Sequence, residues 1–157
     1  MITRNTYIIA ALLLSLWSCQ GGRKAQGSTN TPPNDPQVAA LQRGTWLLQT
    51  YGSSGRPAAT MPRTELTATF NPGQGQVSGE AGCNRFFATY SRQADSLQVG
   101  ATGSTRMQCD SPAGVMQQET LYLTLLSQAQ TFRVDSSPTE TLFIDCSDGQ
   151  VLVFTRP

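Results

Sequence analysis

The stretch AGCNRFFATY, residues 81–90, decides how the chain is read. Its second half alternates, with Phe86, Ala88 and Tyr90 on one face of a strand. Its first half is polar: Cys83, Asn84 and Arg85 lead into that strand. Two readings compete. Cys83 is a nucleophile held before a strand, or it is one end of a covalent staple at the strand entrance. The composition weighs against the first. The chain has no histidine, so a nucleophilic thiol has no imidazole beside it and a metal site lacks its commonest ligand. Lys24 is the lone lysine and lies outside the expected domain, which leaves Schiff-base chemistry without a candidate.

Working outward from this strand, the pattern is short runs of period two between turn residues. GTWLLQTYG (44–52) puts Trp46 and Leu48 on one face with Thr50, and Leu47 and Tyr51 on the other. TELTATFNPG (64–73) places Leu66, Ala68 and Phe70 together and ends in a Pro-Gly turn. GQVSG reads as a short strand or bulge, and DSLQVG (95–100) carries Leu97 and Val99 inward. Near the C-terminus TFRV, TLFIDC and QVLVFT return to period two, with Asp148-Gly149 as a hairpin signal between the last two. Leu142, Ile144, Leu152 and Phe154 are expected core residues.

One segment follows a different period. In SPAGVMQQETLYLTLLSQA (111–129), Val115, Glu119, Tyr122, Leu126 and Ala129 form one helical stripe, flanked by Leu125. Ser111 reads as the N-cap and Pro112 as the first helical residue. Gly114 weakens that start by about 1 kcal/mol against alanine. The fold class expected is mainly β (α+β): a small antiparallel sheet or partly closed barrel, with one amphipathic helix packed on it.

The N-terminus reads as an address. Tyr7 to Trp17 are 11 mostly apolar residues, too few for the roughly 20 of a bilayer-spanning helix. Leu16, Ser18 and Cys19 stand where that run stops, in the pattern of a bacterial lipoprotein signal. Residues 1–18 are thus expected to be a signal peptide, with Cys19 the acylated mature N-terminus. Each buried methylene contributes about 0.8 kcal/mol, so two or more chains such as palmitate anchor a protein stably to the membrane. Gln20 is not the aspartate linked to inner-membrane retention, and no acidic cluster follows Cys19. The expected location is the bacterial cell envelope, at the outer membrane facing the periplasm. Residues 19–37 form a polar tether rich in Gly, Ser, Pro and Asn, and 38–157 the folded domain. Without residues 1–18, Arg4 is lost from the 11 basic residues, so 10 remain against 10 acidic ones. The basic residues form no run, and no nucleic-acid partner is expected.

Three elements now line up: GCNRF (82–86), then STRMQC (104–109), then the helix carrying Glu119. A GTWLL strand precedes them and a DGQVLVF hairpin closes the chain. This order resembles the META domain family, whose members include HslJ-like heat-shock lipoproteins. The resemblance covers about residues 41–156. It implies a small antiparallel β fold with a helix, an envelope location, and association with stress or drug tolerance. It does not imply an enzyme.

The resemblance also favours a disulfide between Cys83 and Cys109, one cysteine from each motif. Such a bond closes a loop of 25 intervening residues and contributes about 3–4 kcal/mol in the chain-entropy model. Cys146 pairing with either cysteine, or three reduced thiols, stay open as alternatives. Asn84, Thr105, Arg106 and Glu119 are the remaining motif residues. They read either as a structural cluster or as one that binds a small anion or peptide end through Arg106. In the structural reading Asn84 shapes a turn, and Arg106 pairs with Glu119 or Asp110. Glu119 lies on the apolar stripe and needs a partner if buried.

Other chemistries find little support. No C-x-x-C is present for redox work, and three domain cysteines without histidine make a poor zinc set. NPGQGQVSG lacks the lysine of a phosphate loop. No catalytic residue, metal or cofactor is expected. The functional expectation is a non-enzymatic envelope lipoprotein that binds or protects another envelope component, protein or small ligand. The alternative is a carrier of a small hydrophobic ligand in a barrel cavity lined by Phe70, Phe86 and Leu97.

Overall fold

The computed structural model describes residues 35–157; the expected signal peptide, Cys19 and the tether up to residue 34 lie outside the described residues. In chain order the elements are helix α1 (Pro36–Leu41) and strands β1 (Thr45–Ser53), β2 (Ala58–Ala59), β3 (Thr67–Asn71), β4 (Gln76–Glu80), β5 (Arg85–Gln93), β6 (Ser96–Val99) and β7 (Gly103–Ser104). Helix α2 (Val115–Ser127) follows, then β8 (Ala129–Asp135), β9 (Thr141–Cys146) and β10 (Gln150–Thr155).

Every strand pairing is antiparallel. The order β1-β3-β4-β5-β6-β8-β9-β10 returns to β1, because Leu47 to Ser53 of β1 pair with Thr155 to Gln150 of β10. Eight strands therefore close a barrel, beyond the partial closure expected. The two-residue strands β2 and β7 lie off this ring on β1 and β5. The β9–β10 hairpin turns at Asp148 and Gly149, both at positive φ (57° and 66°), which suits an Asp-Gly turn.

The alternation places the expected residues inside. Trp46, Leu48, Leu66, Ala68, Phe70, Phe86, Ala88, Leu97, Leu142, Ile144, Leu152 and Phe154 are all buried. Charged side chains such as Arg85, Arg133 and Asp145 face outward, the reverse of the alternation in a membrane-spanning barrel. Among the described residues no helix is long and apolar enough to cross a membrane. The interior is filled by side chains: Phe70 meets Tyr90 edge to face at 5.2 Å, and Phe86 meets Tyr122 in the same way at 5.6 Å.

The two helices sit at opposite ends of the barrel. Helix α1 begins at Pro36, two residues inside the expected tether, with the Asp35 carboxylate capping Gln37 N–H. It buries Val38, Ala40 and Leu41 at the end where β1 begins and β10 ends. The Gln37 amide bonds both backbone groups of Val134 on β8, at 2.6 and 2.9 Å. It thereby fills a gap in the β6–β8 seam, where Ser96 and Thr131 are the paired residues. Arg156 lies 3.7 Å over the Trp46 ring and donates to Ala40 O and Glu140. Trp46 Nε1 donates to Leu41 O at 2.9 Å.

Helix α2 packs at the end where β3 and β5 begin. Val115, Glu119, Tyr122, Leu125 and Leu126 are buried along the expected stripe. Its start differs from the expectation. Gly114, not Ser111, is the N-cap, and its φ of 93° ends the left-handed turn before the helix. A residue in that region cannot continue a right-handed helix, so Pro112 lies ahead of it. Tyr122 is fully buried and its hydroxyl donates to Thr67 O at 2.9 Å.

Candidate functional site

The two motifs meet where β5 begins under α2. Cys83 and Cys109 form a disulfide, with Cα atoms 6.0 Å apart. It joins the chain just before β5 to the chain just before α2. Cys146 is the free cysteine of the domain, buried on β9. Burial, helped by Asp145 next to it, pushes its thiol up to about 12, so the thiolate is disfavoured.

Asn84 lies beside the disulfide, 1% exposed. All four hydrogen-bonding positions of its side chain are used. Nδ2 donates to Glu119 Oε1 at 2.9 Å and to Met107 O at 3.2 Å. Oδ1 accepts from the Thr105 hydroxyl at 2.7 Å and from Met107 N–H at 2.8 Å. The Asn84 backbone N–H donates to Glu119 Oε2 at 2.9 Å. Asparagine suits this place because an amide side chain carries two donors and one twofold acceptor in a plane. The structural role expected of Asn84 at the strand entrance is therefore larger than a turn cap. It holds a helix, a strand and a loop together.

Thr105 and Glu119 join Asn84; Arg106 does not. Arg106 is exposed and makes no ion pair among the described residues. The expected Arg106–Glu119 or Arg106–Asp110 pair is thus replaced. Thr105 turns inward to Asn84, and the next residue of an extended segment points out. Glu119 takes Asn84 as its partner instead. Arg106 stands apart from the cluster that the anion-binding alternative needed it to join. Arg85 also faces outward, and its Nε donates to Glu80 at 2.8 Å across the β4–β5 pair.

Sequence reasoning missed Gln118. This buried amide donates to Thr64 Oγ1 at 2.9 Å and accepts from Met61 N–H at 2.7 Å, tying α2 to the loop before β3. The signal was present: Gln118 neighbours Glu119 and lies three residues after Val115, on the edge of the buried stripe. Gly79 was likewise unremarked. A Cβ there would stand 2.1 Å from Thr67 O. The bare backbone of Gly79 leaves that carbonyl room to accept from Tyr122.

A groove of about 450 Å³, with Glu119 in its lining, opens between α2 and the 101–104 segment. A second, of about 360 Å³, runs over the outer face of β1, β3 and β4 beside Glu80 and Arg85. Among the described residues there is no cluster of metal-ligating side chains.

The architecture, a closed antiparallel barrel stapled to one helix by paired GCN and TRMQC motifs, is that of a META domain. Residues 39–157 match the META domain family, and the chain belongs to it. None of the curated proteins matches the chain. Among solved structures, the NMR structure of a protein from Burkholderia xenovorans is similar. It has a TM-score of 0.64 and 27% identity, and the match covers 79% of this chain and 91% of that one. A second NMR structure shares the fold at a TM-score of 0.52 and 21% identity, covering 74% of this chain and 92% of the other.

Proposed function

We propose that this chain is a non-enzymatic lipoprotein of the bacterial envelope. In this reading Cys19 carries the acyl anchor, residues beyond it form a tether, and the META barrel binds or protects another envelope component under stress. One observation carries the non-catalytic part. Asn84, Thr105 and Glu119, the polar residues of the motifs, direct their hydrogen bonds to one another and to Met107. Groups so engaged hold a structure and are poorly placed to move a proton on a substrate. The disulfide supports an oxidising compartment. The tether would join the domain at α1, the end of the barrel opposite α2.

The carrier reading has less support, because Phe70, Phe86 and Leu97 are buried in one packed core, where Phe70 meets Tyr90 and Phe86 meets Tyr122. The test is fractionation with crosslinking in cells. The native chain should sediment with membranes and crosslink to a partner through α2-end positions, and Cys19→Ala should move it to the soluble fraction. A soluble native chain would overturn the reading.

A further inference from the structure

We propose that the groove beside Glu119 is a binding site for a small primary ammonium, an organic cation with a short apolar body. Glu119 is a buried carboxylate, and both its oxygens accept from Asn84 alone. Two neutral donors occupy two of about four acceptor positions on a carboxylate. No cationic side chain lies within ion-pairing distance of it among the described residues. A carboxylate removed from water without a countercharge is costly, and a cation arriving from solvent offsets that cost.

Glu119 shares the lining of the groove with Ala101, Thr102, Ser104, Leu123 and Thr124. Hydroxyl and carbonyl oxygens there can take the remaining N–H groups of an ammonium, which has three donors and no acceptor. Ala101 and Leu123 offer apolar contact to a hydrocarbon stem. Glu119 is the one ionisable residue of that lining, so the site favours one positive charge. An anion would meet the carboxylate and be repelled. The inference deepens the binding role proposed above. Its failure would leave the membrane tether and the staple untouched, since neither enters the test.

The experiment is an amide chemical-shift titration of the folded domain with n-butylammonium chloride at constant ionic strength, with n-butanol as the uncharged control. Saturable shifts confined to residues 101–104 and 119–124 are expected with the cation and absent with the alcohol. Glu119→Gln should abolish them, but it also disturbs the bonds from Asn84. Thr124→Trp is the second variant: Thr124 is exposed on α2 and lines the groove, so the substitution fills the groove and spares the bonds between Asn84 and Glu119. Keeping the ammonium from the carboxylate should weaken binding at least ~tenfold, the worth of one hydrogen bond to a charged group. Absence of saturable shifts, equal shifts with n-butanol, or unchanged binding in Thr124→Trp would each overturn the proposal.

Discussion

The backbone N–H and side-chain amide of Asn84 both donate to the carboxylate of Glu119, 35 residues later, each at 2.9 Å. This pair joins the start of β5 to the middle of α2. It also sets the position of Met107, whose backbone bonds Asn84 twice. The disulfide closes the same junction covalently. Motif residues far apart in the chain thus form one fastener between helix and barrel.

Asn84→Ala should cost about 3–5 kcal/mol, because it removes one of the two donors to a buried carboxylate and leaves the Thr105 hydroxyl and both backbone groups of Met107 without their partner. Glu119→Leu in the same background should recover part of that loss, since the half-satisfied buried charge is then gone. Urea unfolding of the two single variants and the double variant gives the coupling energy. Additive losses would place the two residues in separate roles.

Replacing Cys83 and Cys109 by alanine should lower stability by about 3–4 kcal/mol and speed amide exchange across residues 104–110. Cys146 should stay unreactive toward iodoacetamide at pH 8 in the folded chain and react on unfolding. Mass analysis before and after denaturant checks this. A Cys146 alkylated as fast as a free peptide thiol would contradict its burial.

The pH dependence has two sides. The Cys146 thiol is raised from 9.0 to about 12 in the fold, so its contribution is complete below pH 9 and declines as pH rises toward 12. Burial raises Tyr122 as well, in the same direction. Glu140 is held below its ordinary value of 4.5, first by its hydrogen bond from Arg156 and further by Arg43. Its contribution is present above pH 4.5 and is lost as pH falls through the lowered value. Thermal unfolding across pH should show both edges, and Glu140→Gln should flatten the acid one.

Gly79→Ala should destabilise the barrel by roughly 3 kcal/mol, the upper range for overpacking. The added methyl would stand 2.1 Å from Thr67 O, the acceptor of the Tyr122 hydroxyl. A melting temperature within a degree of the parent would show that β3 and β4 can separate freely there.

Much of the barrel was legible because its strands alternate cleanly. Phe86, Ala88 and Tyr90, or Leu142 and Ile144, show period two without help from the rest of the fold. The α2 stripe was legible for the same reason at period 3.6. Closure was not, since the pairing of β1 with β10 spans the chain and leaves no local signal. Strands β2 and β7 have two residues each, too few for any period. Helix α1 hid behind Pro36 and a polar run, and besides nearby Trp46 its partners are Val134 and Arg156, distant in sequence. Within the site, Glu119 signalled its need for a partner by lying on an apolar stripe. That the partner is Asn84 and not Arg106 depends on which way residues 105 and 106 point.

The most direct measurement is the intact mass of the protein taken from its native envelope, alkylated under denaturing conditions with and without reductant. The account predicts acyl chains on Cys19, one alkylated thiol without reductant, and three with it. Three alkylated thiols without reductant, or an unmodified N-terminus, would contradict a lipid-anchored barrel stapled between Cys83 and Cys109.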